Sequence, residues 1–187
     1  RWGYVWKKFP RGGVDIMVVL DLSRSMLATD INPSRLERAK RELTDLLKIA
    51  KGDRIGLVVF AGTSFVQCPL TADYKLAGMF IRQLSPDLIP IGGTNIGHAL
   101  TKAVTSLEKG AAAQSEAKAI ILMTDGEDRS GDPIKIAKQA KEKGIRIFTI
   151  GIGKEEGAPI PDENGGFKKD KQGNLVLSKL DEVALKS

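Results

Sequence analysis

Val14-Asp15-Ile16-Met17-Val18-Val19-Leu20-Asp21-Leu22-Ser23-Arg24-Ser25 is the stretch that decides the fold. Its first half is a β-branched and aliphatic run of the buried-strand type. A parallel strand covered on both faces needs no polar alternation. Its second half changes character at Asp21. Alternation there sends Asp21, Ser23 and Ser25 to one side, just beyond the carboxyl end of the strand. In open α/β sheets that is where ligands bind, in a crevice made by the connecting loops.

Outward from this stretch the chain alternates strands with helices. Asn32-Pro33 supplies a helix cap followed by proline at the first helical position. Leu36, Ala39, Leu43, Leu46, Leu47 and Ala50 then recur at spacings of three and four, one helical face, and Gly52 closes the helix. Residues 54–61 read as a second buried strand, and residues 63–68, after Gly62, as its antiparallel hairpin partner. A short amphipathic helix is expected over 74–84, a proline- and glycine-rich loop over 85–93, and a longer helix from Thr94. Ile96, Leu100, Ala103 and Leu107 form its apolar face. Residues 118–123 make a third core strand feeding the loop 124–131. Asp132-Pro133 repeats the cap-then-proline start, Gly144 ends that helix, and 146–153 is the fourth core strand. Beyond a loop over 155–166, residues 167–169 and 174–177 are expected to pair around a turn at 171–173. Residues 181–186 begin a helix that the chain's end cuts short. The pattern specifies one domain over 1–187, α/β and doubly wound, with a mostly parallel sheet and helices on both faces. Residues 1–13 form a lead-in.

Composition narrows the chemistry. The 187 residues are 42% apolar and 28% charged, ordinary for a folded soluble domain. No apolar run reaches the ~18–20 residues of a membrane span. The chain opens at Arg1 with neither an initiator Met nor a signal-like segment and reads as an excised soluble piece, so any targeting or membrane segment is expected outside it. One cysteine, Cys68, and one histidine, His98, exclude an intrachain disulfide and a thiolate or imidazole metal cluster. A metal here must be a hard ion held by oxygen. The net charge of +6 is spread along helices and mixed with Glu and Asp. There is no basic stripe interleaved with aromatics, which argues against nucleic acid.

Three loops carry small oxygen donors: Asp21-Leu22-Ser23-Arg24-Ser25, Gly92-Gly93-Thr94 and Thr124-Asp125-Gly126-Glu127-Asp128. Asp21, Ser23, Ser25, Thr94 and Asp125 make a poor nucleophilic machine but a suitable shell for Mg²⁺ or Mn²⁺, with Ca²⁺ as an alternative. Two carboxylates merely neutralise the ion, so an anionic ligand from outside is strongly attracted. Each loop alone also has a plainer reading. Asp-x-Ser-x-Ser can be a turn capping the next helix, Thr94 an N-cap, and Asp125-Gly126 an ordinary turn. Arg24 is expected on the side opposite the ligands, as a solvated loop residue or a contact for a partner carboxylate. Glu127 and Asp128 read either as outer support for the ion or as turn residues facing solvent. His98 lies off the apolar helix face, with no triad around it. Gly151-Ile152-Gly153 lacks dinucleotide-loop spacing and no helix opens there.

Asp21-Leu22-Ser23-Arg24-Ser25, together with Thr94 and Thr124-Asp125-Gly126, resembles the metal-ion-dependent adhesion site of von Willebrand factor type A domains. The resemblance implies a six-stranded sheet, five strands parallel and one short edge strand antiparallel. It also implies direct ligation by Ser23, Ser25 and often Thr94, with Asp21 and Asp125 acting directly or through water. A narrower likeness covers nearly the whole chain. Arg1-Trp2-Gly3, Ser25-Met26-Leu27-Ala28-Thr29-Asp30-Ile31, Arg35-Leu36-Glu37-Arg38-Ala39-Lys40, Gly52-Asp53-Arg54-Ile55-Gly56-Leu57, Phe65-Val66-Gln67-Cys68-Pro69-Leu70-Thr71 and Gly157-Ala158-Pro159-Ile160-Pro161 resemble the bacterial aerotolerance-related (Bat-type) proteins. That likeness implies a bacterial inner-membrane protein of which this chain is the soluble domain, the membrane side being left open. It implies partners among other Bat-type proteins or a MoxR-type AAA+ ATPase. The expected function is a metal-dependent module, not an enzyme, that binds an acidic residue of a protein partner. The alternative is a Mg²⁺-dependent phosphohydrolase or phosphoryl acceptor. Against it, the position two after Asp21 is Ser23 rather than a second acid, and no lysine follows the fourth strand before Lys154.

Overall fold

The computed structural model describes residues 13–110, 117–126, 132–162 and 165–181. The elements run β1 (Val14–Asp21), α1 (Arg35–Ile49), β2 (Arg54–Phe60), β3 (Ser64–Thr71), α2 (Tyr74–Arg82), α3 (Ile96–Lys109), β4 (Ala117–Thr124), α4 (Pro133–Glu142), β5 (Ile145–Gly151), β6 (Ala158–Pro159) and β7 (Leu177–Ser178). Five strands form one sheet in the order β3-β2-β1-β4-β5. β1, β2, β4 and β5 are parallel, and β3 runs antiparallel on the edge beside β2.

β1 is central and buried on both faces, as its unbroken apolar run requires. Val18, Leu20 and Leu22 meet Leu36, Leu43 and Leu47 of α1 and Ala77 and Ile81 of α2 on one side. Met17 and Val19 meet Ile96, Leu100, Ala103 and Leu107 of α3 and Ala140 of α4 on the other. Two cores therefore share one sheet. At its amino end, Asp15 is buried against Arg54, whose Nε and Nη2 donate to the carboxylate at 2.8 and 2.6 Å.

Three sequence expectations change. Ser34, not Asn32, caps α1: its Oγ accepts the Glu37 N–H at 3.2 Å, and Pro33 falls outside the helix. Asn95, not Thr94, caps α3 through the His98 N–H at 2.9 Å. The sheet has five strands among the described residues, not six. After β5 the chain folds on itself instead of returning to the sheet. β6 pairs with β7, and Pro161 and Lys169 bridge to Phe167 and Leu175, so the ribbon spends its backbone groups internally. The pairing expected around 171–173 is present: the Asp170 N–H donates to Asn174 O at 2.9 Å. The proposed helix over 181–186 lies almost wholly outside the described residues.

Candidate metal centre

The loop after β1 is built by its own side chains. Asp21, completely buried, accepts the Ser23 N–H on Oδ1 at 2.7 Å, which turns the chain. A short 3₁₀ turn over Arg24–Leu27 follows, placing Ser25 and Met26 inward. Ser23 Oγ and Ser25 Oγ end 2.9 Å apart. The loop is thus a turn, and that turn brings the two candidate hydroxyls together. The 3₁₀ turn also breaks the alternation expected at Arg24: it lines the same small cavity, about 90 Å³, as Ser23, Ser25 and Thr94.

Thr94 reaches this cavity because two loops meet backbone to backbone. The Gly62 N–H donates to Ile91 O at 3.1 Å and the Asn95 N–H to Ala61 O at 2.9 Å. A Cβ on Gly62 would lie 2.2 Å from Gly92 O, so no side chain fits between them. Across the sheet edge, Thr124 Oγ1 donates to Asp21 Oδ2 at 2.7 Å and accepts the Gly126 N–H at 3.1 Å. Asp125 follows, fully buried. All five expected residues are buried at one edge. Burial and the neighbouring Asp125 carboxylate push the Asp21 carboxyl up to about 7, against smaller opposing hydrogen bonds from Thr124 and Ser23.

Sequence reasoning assigned no role to the group that holds Asp125. Arg35, in the first turn of α1, is 0% exposed. Its Nη1 donates to Asp125 Oδ2 at 3.0 Å and to Ser178 Oγ at 2.7 Å, and Ser178 Oγ lies 3.0 Å from the same carboxylate oxygen. Its Nε and Nη2 form a fork on Asp30, both at 2.9 Å. Asp30 also accepts the Lys154 N–H at 2.9 Å, and its carboxyl sits below the usual range. Burial opposes that shift, but the Arg35 and Lys154 hydrogen bonds outweigh it. Gly153 closes the pocket over Arg35: a Cβ there would sit 3.0 Å from Cζ, at a φ of +151°. A signal was present in the sequence, since Arg35, Ala39 and Leu43 at intervals of four share the buried stripe. Glu127 and Asp128 lie outside the described residues. His98 is exposed, with Nδ1 2.9 Å from Ser64 Oγ.

The donor set suits a hard divalent ion. Two carboxylates and three hydroxyls offer oxygen only, and each Asp21 oxygen accepts one hydrogen bond and keeps a second lone pair. Among the described residues no group of three His, Cys, Asp or Glu side chains gathers, so hydroxyls must complete any shell. With Asp21, Asp30 and Asp125 all ionised against Arg35, the cluster would carry two net negative charges, which one divalent cation would balance.

The von Willebrand factor type A domain model matches residues 15–164. Among solved structures the chain is similar to the conserved hypothetical protein BatB of Bacteroides thetaiotaomicron: 43% identity, TM-score 0.86, 93% of this chain and 84% of that one. An aerotolerance-related membrane protein of Bacteroides fragilis NCTC 9343 matches at 41% identity and TM-score 0.85, over 92% of this chain and 84% of that one. Proximal thread matrix protein 1 of the mussel byssus, solved with a zinc-occupied MIDAS motif, matches at 25% identity and TM-score 0.63, over 76% of this chain and 38% of that one. The chain spans about half the length of the curated relatives it matches, the first at 34% identity over 178 residues. Among the described residues no helix is long and apolar enough to cross a membrane. Fold, site loops and family model agree, and the chain belongs to the von Willebrand factor type A domain family, with Bat-type proteins among its structural neighbours.

Proposed function

We propose that this domain is a metal-dependent protein-interaction module of a membrane-anchored bacterial protein, and not an enzyme. One observation carries the reading. Two buried carboxylates, Asp21 and Asp125, sit at one sheet edge with the Ser23, Ser25 and Thr94 hydroxyl groups, and burial holds Asp21 partly protonated at neutral pH. A cluster so costly to bury is stabilised by a cation. Mg²⁺ or Mn²⁺ would be held by these five residues and, when bound, would supply an electrophilic point for a carboxylate from outside. The chain's own residues do the rest. Thr124 and the Ser23 N–H orient Asp21, while Arg35 and Ser178 orient Asp125. The zinc-occupied site of the mussel protein supports metal at this position, and the Bacteroides membrane protein supports the tether. Other Bat-type proteins and a MoxR-type ATPase are the partners to try first.

Two measurements test it. Mn²⁺ titration should show one site in the wild type and none in Asp21→Ala, with the fold retained by circular dichroism. Capture of partners from bacterial membranes should depend on Mg²⁺, and equal capture in EDTA rejects the reading. Phosphatase turnover lost in Asp21→Asn would favour the phosphohydrolase instead.

A further inference from the structure

The cavity at the candidate ligands is not isolated. A second one, about 250 Å³, adjoins it, and Ser23, Arg24 and Gly92 line both. The rest of its wall is mostly apolar: Leu22, Ala61, Pro86, Ile89 and Pro90. Asp87, exposed, is its acidic member, with the carboxylate accepting from Ser85 Oγ at 2.9 Å. Leu88 and Ile91, in the same loop, stand 38% and 58% exposed.

Size and charge say what fits. Liquid water takes about 30 Å³ per molecule, so the 90 Å³ cavity admits an ion with a few oxygens and little more. The 250 Å³ cavity falls below the roughly 300 Å³ at which small-molecule sites begin, and suits a side chain better than a cofactor. Arg24 lines both cavities, while Lys168 lines only the first and Asp87 only the second. The first end therefore attracts a carboxylate, and in the second Asp87 offsets Arg24. The cavities share three lining residues and so adjoin, and an extended chain, rising about 3.3 Å per residue, can present neighbouring side chains to both.

We propose that the partner is a peptide segment pairing an acidic residue with an apolar one, one or two positions apart. The acid enters at Ser23, Ser25 and Thr94; the apolar side chain seats against Leu22, Ala61 and Ile89; Asp87 excludes a second acid from that seat. This rests on the metal-dependent reading above. The test is to pan a phage-displayed library of random dodecapeptides on the Mg²⁺-loaded domain and elute with EDTA, after Mn²⁺ titration has shown the site to be loaded. The eluted pool should be enriched in Asp or Glu beside Leu, Ile, Val or Phe. Pro90→Lys should leave Mn²⁺ affinity unchanged and weaken a selected peptide about tenfold or more, the loss of one apolar side chain's burial. Asp87→Lys should admit a second acid at the apolar position. Failure to bind Mn²⁺ overturns the metal reading itself. Bound Mn²⁺ with acidic peptides of no apolar preference, or with no EDTA-eluted peptides, overturns this inference alone.

Discussion

At the scale of single residues, the site trades stability for the capacity to bind. Asp21 titrates near 7 when folded against 3.8 for the free side chain. The folded state therefore holds more protons than the unfolded one between these values, and stability falls as pH rises through that window. Asp21→Asn removes the charge; its oxygen can still accept the Ser23 N–H, while its Nδ2 donates to Thr124 Oγ1 and reverses that bond. Without metal it should come nearest the wild type below pH 4, exceed it by a margin that widens from pH 5 to 7 and levels off by pH 8, and gain nothing from Mg²⁺. Urea midpoints across pH 5–8 read this directly; parallel wild-type and variant profiles would sink it. Arg35 is the opposite case, a buried charge whose removal strands two carboxylates. Arg35→Met should cost about 3–5 kcal/mol in urea unfolding, the loss typical of breaking one side of a buried ion pair. A cost under about 1 kcal/mol, the surface-pair range, would mean that water reaches Asp125 and Asp30. The five candidate ligands were legible because small oxygen donors cluster at three strand or helix boundaries. The burial of Arg35 could be read from its place on the apolar stripe of α1, but its meeting with Ser178 and Asp125 could not, because it spans up to 143 positions and no local spacing encodes it.

Among the elements, strands and helices followed from apolar periodicity, whereas their ends did not. Asn32-Pro33 and Thr94 offer the residue types that caps use, yet Ser34 and Asn95 take the role. Several neighbouring polar residues compete for the same N–H groups, and the path of the entering chain selects among them. At α1 the choice matters for the site, because the helix start fixes the guanidinium of the very next residue. Ser34→Ala should cost about 1 kcal/mol in urea unfolding, the usual worth of an N-cap. Amide exchange should quicken at Glu37 and Arg38, whose N–H groups bond to Ser34 Oγ and O. Unchanged exchange at both would show that the helix start is held by Arg35 and not by its cap. The edge strand β3 was legible from Gly62 and the short spacing to β2. That the described residues place no sixth strand in this sheet was not, because a ribbon that closes on itself and an added edge strand share the same turn-rich, alternating composition.

For the molecule as a whole, the important fact is where the site stands. The loop carrying Ser23 and Ser25 is anchored by Leu22 and Met26 in one core, while Thr94 is followed by Ile96 in the other. Asp125 leaves β4 and is joined through Arg35 and Ser178 to α1 and to the β6–β7 ribbon. The candidate ligands thus crown a sheet that both cores share. An ion held by the proposed ligands would stabilise the assembled domain and would have no equivalent site in either half alone. Linkage gives about 2.7 kcal/mol at an ion concentration one hundred times the dissociation constant. In a chain of this size that is an upward shift of roughly 5–10 °C in the midpoint. Calorimetry with and without Mg²⁺ should show a single transition that moves as a unit, and EDTA should return it. Two resolved transitions, only one responding to Mg²⁺, would mean that the ion is held by one loop rather than by the junction. Arg35→Lys distinguishes the two arrangements further. It keeps the charge but loses the guanidinium that forks onto Asp30 and reaches Asp125 through Nη1, so the Mg²⁺-induced shift should shrink while the transition stays single.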